Sequence, residues 1–254
     1  MNDLNNWQQQ AHYCLLQGNY RQAASLYEQA IEAQPETKSY YWHLGLMLLL
    51  QGQEVDAQMT WLWGMTEGEP DQVERWTAEL AQLLSTEAER QEAIADYQMA
   101  WLVREHLKEV APKNINNLLH IIQLSIQLET FTVSALTEFQ IINLLKTKAS
   151  AFNSNLLLQV LQKLLAYAPQ EPSIFMFAEV CLHCTPNPQA FIDVIMLAAI
   201  KIAYVFRQPT LASRLAEQCL SINPNNLEVL LHLASFYLDS KQYSKGIKAA
   251  KRCY

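Results

Sequence analysis

The chain reads as an all-α protein, a right-handed superhelix built from about seven antiparallel helix pairs. Three observations carry this reading. The first is an echo at 34 residues: Trp7, Ala11, Gly18, Ala23, Tyr27 and Ala30 return as Tyr41, Gly45, Gly52, Ala57, Trp61 and Gly64. That order of big, small and turn residues describes a helical hairpin that buries its apolar face only by stacking on its neighbours. The second is composition. Six glycines and nine prolines in 254 residues, with Leu, Ala, Gln and Glu abundant, favour helix throughout, and half the residues are apolar. The third is punctuation, with prolines and Gly-Asn turns separating segments of helix length.

In the first hairpin Trp7 and Tyr27 fill the space between helices, while Ala11, Ala23 and Ala30 are small where backbones approach. Gly18-Asn19 makes the turn and Pro35 closes the second helix. The second hairpin repeats this with Tyr41, Gly45, Gln51-Gly52, Ala57, Trp61, Gly64 and Pro70. Trp63 lies about 200° from Trp61 round the same helix, so the two cannot share one core.

A third hairpin is looser. Ala93, Tyr97 and Ala100 keep the spacing of Ala23, Tyr27 and Ala30, but the closing proline arrives only at Pro112. Its second helix is therefore expected to run about two turns longer, at roughly 3.6 residues per turn.

Between 113 and 190 the signature fades. Helices are expected at 114–128, 134–146, 153–168, 172–184 and 188–206, with Pro112, Pro169, Pro186 and Pro188 as breakers. The frame then returns. Ala212, Ala216, Cys219 and Pro224 reproduce the spacing of Ala23, Tyr27, Ala30 and Pro35. Met196, Ile200, Ala203, Ala216 and Cys219 recur 34 residues on as Leu230, Ala234, Tyr237, Ala250 and Cys253.

This gives about fourteen helices in three stretches: acidic hairpins over 1–112, degenerate helical repeats over 113–190, and regular hairpins over 191–254. The chain stops at Cys253-Tyr254, inside a repeat. Arrays end on a polar capping helix, so this is expected to be the front of a longer protein.

Composition narrows the function classes. Residues 1–110 carry six Lys+Arg against seventeen Asp+Glu, and residues 111–254 carry twelve against eight. An acidic front half repels phosphates, and the lysines behind it are scattered, so nucleic acid is not the expected ligand. The stretch 191–206 holds Asp193 and Lys201 and falls short of the roughly 20 apolar residues a spanning helix needs. It reads as a buried helix, and no membrane is expected. The opening MNDLNNWQQQ has neither a basic start nor an apolar run, which argues against a secretory signal. Five cysteines in helical surroundings suit a reducing, cytoplasmic setting.

The hairpin pattern resembles the tetratricopeptide repeat, specifically over 4–70 and 193–254 and more loosely over 74–112. The opening NNWQQQAHYCLLQGNYRQAASLYEQAIEAQPETKSYYWHLGLMLLLQGQ also resembles the N-terminal region of cyanobacterial proteins of the SPINDLY type, relatives of the protein O-linked N-acetylglucosamine transferases. That resemblance implies a whole protein that glycosylates Ser or Thr of other proteins, with the repeats presenting substrates and the catalytic part beyond residue 254. The asparagine ladder of that family does not carry over, since Gln9, His43 and His232 stand at the matching positions.

The repeat frame places the first helix of each hairpin along an inner groove. It predicts a partner-binding surface of Gln8, His12 and Leu15, then Trp42, Leu46 and Leu49, then Leu197, Lys201 and Tyr204, and finally Leu231, Ser235 and Leu238. The expected partner is a protein or peptide, and homo-oligomers are compatible with such a surface.

Cys181-Leu182-His183-Cys184 lacks the second Cys/His pair of a structural zinc site and reads as core, so no metal is expected. Glu87, Glu89 and Glu92 read as a solvated face. Without a phosphate loop, nucleophile elbow or HExxH, this chain is not expected to be an enzyme or to hold a cofactor. Two alternatives remain: a free-standing scaffold with no attached enzyme, and a helical domain with a small-molecule pocket in its irregular middle.

Overall fold

The computed structural model describes residues 4–66, 68–138, 140–148 and 150–253. It is all-helical, with fifteen helices and no strand among the described residues. Contacts divide the chain into two compact units, Met1–Pro112 and Lys113–Tyr254.

The first unit contains α1 (Leu4–Leu16), α2 (Tyr20–Ala33), α3 (Lys38–Leu50), α4 (Glu54–Met65), α5 (Pro70–Ala93) and α6 (Tyr97–Val110). Each pairs with the next, α1 on α2, α3 on α4 and α5 on α6, and α2 also packs on α3. Where α1 turns into α2 and α3 into α4, the glycines of the sequence pattern take left-handed backbone, at φ +72° for Gly18 and +78° for Gly52.

The turn from α5 to α6 uses the same geometry without glycine, Ala95 standing at φ +62°. This corrects the expected register of the third hairpin. Ala93 is the last residue of α5, not part of the following helix, and the additional length belongs to α5, which has 24 residues. Pro70 likewise opens α5 at its first position, where a missing N–H costs nothing, and does not close α4. Glu69 and Gln72 complete that start with a reciprocal capping box.

In the second unit α7 (Ile115–Gln127) and α10 (Ser154–Tyr167) pack together, with two short helices, α8 (Ala135–Glu138) and α9 (Ile141–Thr147), in between. The single helix expected over 134–146 is therefore two. Gln140 stands at φ +50°, which ends one helical path before the next begins; Phe139 lies outside the described residues. The split accounts for fifteen helices where about fourteen were expected.

α11 (Pro172–Cys184) leads to two regular hairpins, α12 (Gln189–Tyr204) with α13 (Pro209–Ile222), and α14 (Leu227–Asp239) with α15 (Tyr243–Lys251). Their turns carry Arg207 at φ +55° and Lys241 at φ +61°. Side-chain caps at Asn114, Asn153 and Asn226 satisfy the first free N–H groups of α7, α10 and α14.

The recurring second helices share one register. The fourth residue of α2, α4, α6, α13 and α15 is Ala23, Ala57, Ala100, Ala212 and Gly246, each buried where the helix meets its partner. α12, expected as a buried helix, is buried on one face only, through Phe191, Ile195, Ala199 and Ile202, while Asp193, Leu197, Lys201 and Tyr204 on the other face are exposed. No helix among the described residues is long and apolar enough to cross a membrane.

Candidate functional site

In the first unit, the first helices of three hairpins line one cleft of about 510 Å³. α1 contributes Gln8, His12 and Leu15; α3 contributes Tyr40, His43 and Leu46; α5 contributes Leu83, Thr86, Glu87 and Arg90. An aromatic cluster supports one wall. Trp7 meets Tyr27 and Tyr40 edge-on at 5.4 and 5.3 Å, and Tyr27 stacks on His43 at 5.0 Å.

Burial pushes the Tyr27 phenol up to about 12, with the neighbouring Tyr40 acting the same way. Burial also holds His43 below the usual imidazole value, outweighing the opposing bond to a backbone carbonyl. That carbonyl is the Ser39 oxygen, 2.8 Å from Nδ1. A carbonyl only accepts, so Nδ1 carries the proton and Nε2 is left as an acceptor.

α5 supplies the cleft's one charged pair. The Glu87 side chain is 3% exposed and takes Nε and Nη2 of Arg90 at 2.9 and 2.7 Å, with Gln91 Nε2 donating at 2.6 Å. Glu87 is therefore not part of a solvated face. Glu92 also turns inward, accepting from Arg104 Nε at 2.5 Å, and only Glu89 faces solvent. The sequence reading missed all of the α5 residues in this cleft, because the misplaced third turn left no frame from which to pick them.

In the second unit, α12 and α14 present the 34-residue pairs Leu197 and Leu231, Lys201 and Ser235, and Tyr204 and Leu238. The three leucines are exposed and so is Tyr204. The Tyr204 hydroxyl sits 3.0 Å from Ser235 Oγ, which ties the two helices across this face. Tyr204 also leans on Phe236 at 6.2 Å, and Lys201 Nζ lies 5.9 Å from the Phe206 ring.

Placed on the structure, the predicted groove residues separate into two kinds. Gln8, His12, Lys201, Tyr204 and Leu231 are exposed, Leu15 and Ser235 half-buried. Trp42 and Leu49 do not line the cleft: both are sealed in the core, Trp42 with its indole against the bare backbone of Gly64 on α4. Leu46 is also fully buried, and it reaches the cleft only as part of its floor. Of the two neighbouring indoles, Trp61 enters the core and Trp63 faces outward.

The irregular middle holds a depression of about 300 Å³ beside Lys146, Lys148, Met176, Glu179, His183 and Cys184. Burial raises the Cys184 thiol, which leaves it protonated and a poor nucleophile or ligand at neutral pH. Cys181 is fully buried and its carbonyl accepts from Thr185 Oγ1 at 3.2 Å. Among the described residues no group of three or more His, Cys, Asp or Glu is arranged to hold a metal ion, and all five cysteines are free.

Residues 10–62 match the tetratricopeptide repeat family. No curated protein matches the chain. Among solved structures, the chain is similar to the MamA protein at 10% identity, covering 68% of this chain and 89% of that one with a TM-score of 0.39. It is similar to the tetratricopeptide domain of P58(IPK) at 14% identity, covering 99% and 92% with a TM-score of 0.33. A third likeness is to the C-terminal part of a tetratricopeptide repeat-containing protein from Cytophaga hutchinsonii, at 11% identity over 96% and 93% with a TM-score of 0.38.

Proposed function

We propose that the chain is a protein-recognition module that holds a segment of a partner protein along the first helices of its hairpins. The observation that carries this is the cleft of the first unit. Three successive first helices converge on one concave surface that combines an aromatic wall, a neutral imidazole acceptor and a fixed charged pair. Apolar walls with a few placed polar groups suit a peptide segment. The α12–α14 face adds exposed leucines beside a tied tyrosine, the composition of a second contact patch.

The finer reading makes this module the front arm of a SPINDLY-like protein glycosyltransferase in the cytoplasm, with nucleic acid and membranes excluded as partners and self-association allowed. Its support is the opening sequence and the acidic charge of residues 1–110. A complete reading frame ending shortly after residue 254 would remove the transferase and leave a free-standing scaffold.

The recognition reading is tested by affinity capture with the purified chain, followed by His12→Ala/Arg90→Ala and, separately, Leu197→Asp/Leu231→Asp. Loss of specific partners from one variant and not the other identifies which face binds. A captured set unchanged in both variants would sink the groove reading.

A further inference from the structure

The outer face of α4 is unlike that of every other second helix in the regular hairpins. Positions two, six and nine of these helices face outward. They hold Arg21, Ser25 and Glu28 in α2, Thr210, Arg214 and Glu217 in α13, and Ser244, Lys248 and Lys251 in α15. In α6 they hold the exposed Gln98 and the half-buried Leu102 and Glu105. In α4 all three are apolar: Val55, Met59 and Leu62, exposed by 72, 43 and 60%.

Trp63, 59% exposed, lies beside them within one third of a turn. The opposite face of the same helix already buries Ala57, Trp61 and Gly64 in the core. A helix apolar on both faces has the sequence of one buried on both faces. Four contiguous large side chains, one an indole, have the make-up of an anchor patch.

The rim of this stripe is acidic. α4 itself carries Glu54 and Asp56 and no basic residue. The neighbouring second helices in sequence add the outward Glu28 and Glu32 from α2 and Glu109 from α6. The two cations on these outer faces are Arg21 and Lys108, and Lys108 is already bound to Glu105. Two copies meeting through this face would set acidic rim against acidic rim, and an anionic membrane would meet the same repulsion.

We propose that the outer face of α4 docks an amphipathic helix of a partner protein whose apolar stripe is flanked by Lys and Arg. Val55, Met59, Leu62 and Trp63 receive the apolar side chains, and the acidic rim sets orientation and speeds encounter. This surface stands apart from the cleft lined by α1, α3 and α5 and holds whether or not that cleft binds a peptide.

The probe is a fluorophore-labelled helical peptide of about 16 residues with leucines at i, i+4, i+7 and i+11 between lysines; its twin carries glutamate for every lysine. The full chain is expected to bind the lysine peptide, more weakly as salt rises, and to ignore the twin. Met59→Gln/Leu62→Gln is expected to weaken binding roughly tenfold, with an unchanged circular dichroism melt because both side chains are exposed. His12→Ala is expected to bind as wild type. Equal binding of the twin, equal binding by the double variant, or binding of neither peptide overturns the proposal. A dimer in sedimentation, or recruitment to phosphatidylserine vesicles, overturns it too if the double variant abolishes either one, since each would give the face a different occupant.

Discussion

The indole of Trp61 occupies the space a side chain would take on Gly45: a Cβ built there would lie 2.2 Å from Trp61 Nε1. The relationship is reciprocal across the α3–α4 hairpin. A Cβ on Gly64 would lie 2.5 Å from Cζ3 of Trp42, and Trp61 Nε1 donates to the Trp42 carbonyl at 3.1 Å. Hairpin one has Ala11 and Ala30 where hairpin two has these glycines, and Tyr27 where it has Trp61. The larger ring and the missing methyl belong together.

Gly45→Ala is therefore expected to destabilise the chain by about 1–3 kcal/mol through overpacking. Intrinsic helix propensity alone would stabilise it by roughly 1 kcal/mol, so the sign of the change is diagnostic. Trp61→Tyr in the same chain is expected to recover part of the loss, restoring the pairing of hairpin one. Urea denaturation of the single and double variants decides it, and a stabilised Gly45→Ala would show that the indole has room to move.

The left-handed turn residues give an opposite expectation. Ala95, at φ +62°, does the work that Gly18 and Gly52 do in the first two hairpins. A Cβ in that conformation costs roughly 1–2 kcal/mol, part of which glycine returns through the greater freedom of its unfolded chain. Ala95→Gly is expected to raise stability by about 0.5–1 kcal/mol. A lowered melting temperature would contradict this.

The same turn explains what could be read from the sequence and what could not. Gly18 and Gly52 announce their turns, and around them the hairpin frame and the buried Ala23, Tyr27, Ala57 and Trp61 are visible from spacing; spacing also separates Trp63 from Trp61, but it does not say that Trp63 faces outward. At Ala95, Arg207 and Lys241 the geometry recurs without glycine. In the last two hairpins the spacing of Ala212, Ala216 and Cys219 rescued the frame. In the third the same spacing at Ala93, Tyr97 and Ala100 fits a false register, since Ala100 and not Ala93 is the counterpart of Ala23, so the end of α5 is misread and Glu87 and Arg90 are lost from the cleft. The break at Gln140 leaves no signal either, because a left-handed glutamine looks like any helical one. Trp42 and Leu49 failed for a different reason. A repeat frame gives the helix face but not the reach of a large side chain, and the Trp42 ring went under the neighbouring helix into the space left by Gly64.

His43 sets an acid-side dependence. Its folded-state value lies below the ordinary 6.5, burial being the main cause. Below about pH 6.5 the unfolded chain takes up a proton that the folded imidazole resists, so stability present at neutral pH falls as acidity rises. His43→Gln is expected to flatten the change in melting temperature between about pH 7.5 and 5.5. An undiminished slope in the variant would assign the acid sensitivity to other groups.

Thiol accessibility checks the core independently. Cys14, Cys181 and Cys219 are buried, whereas Cys184 and Cys253 are half-buried. Burial pushes Cys219 up to about 12 and raises Cys181 well above its ordinary value, so both lack thiolate as well as access. A disulfide reagent is expected to modify no more than Cys184 and Cys253 in the native chain and all five in denaturant. Rapid native labelling of Cys219, read by mass spectrometry, would contradict the packing of α13.

The Glu87–Arg90 pair predicts an asymmetry between losing one partner and losing both. Arg90→Ala leaves a carboxylate inside the first unit with Gln91 as its remaining donor, and is expected to cost about 2–3 kcal/mol. Replacing both residues, as Glu87→Leu/Arg90→Leu, removes the charge along with its counter-charge and adds apolar surface at the cleft. That double variant leaves only the neutral, buried Gln91 amide without its acceptor and is expected to cost less than Arg90→Ala. It should nonetheless lose whatever charged contact the cleft makes with a partner peptide, which separates stability from recognition at one pair of side chains. Denaturation curves for both variants test the asymmetry, and equal losses in the two would mean that packing, not the uncompensated carboxylate, sets the cost.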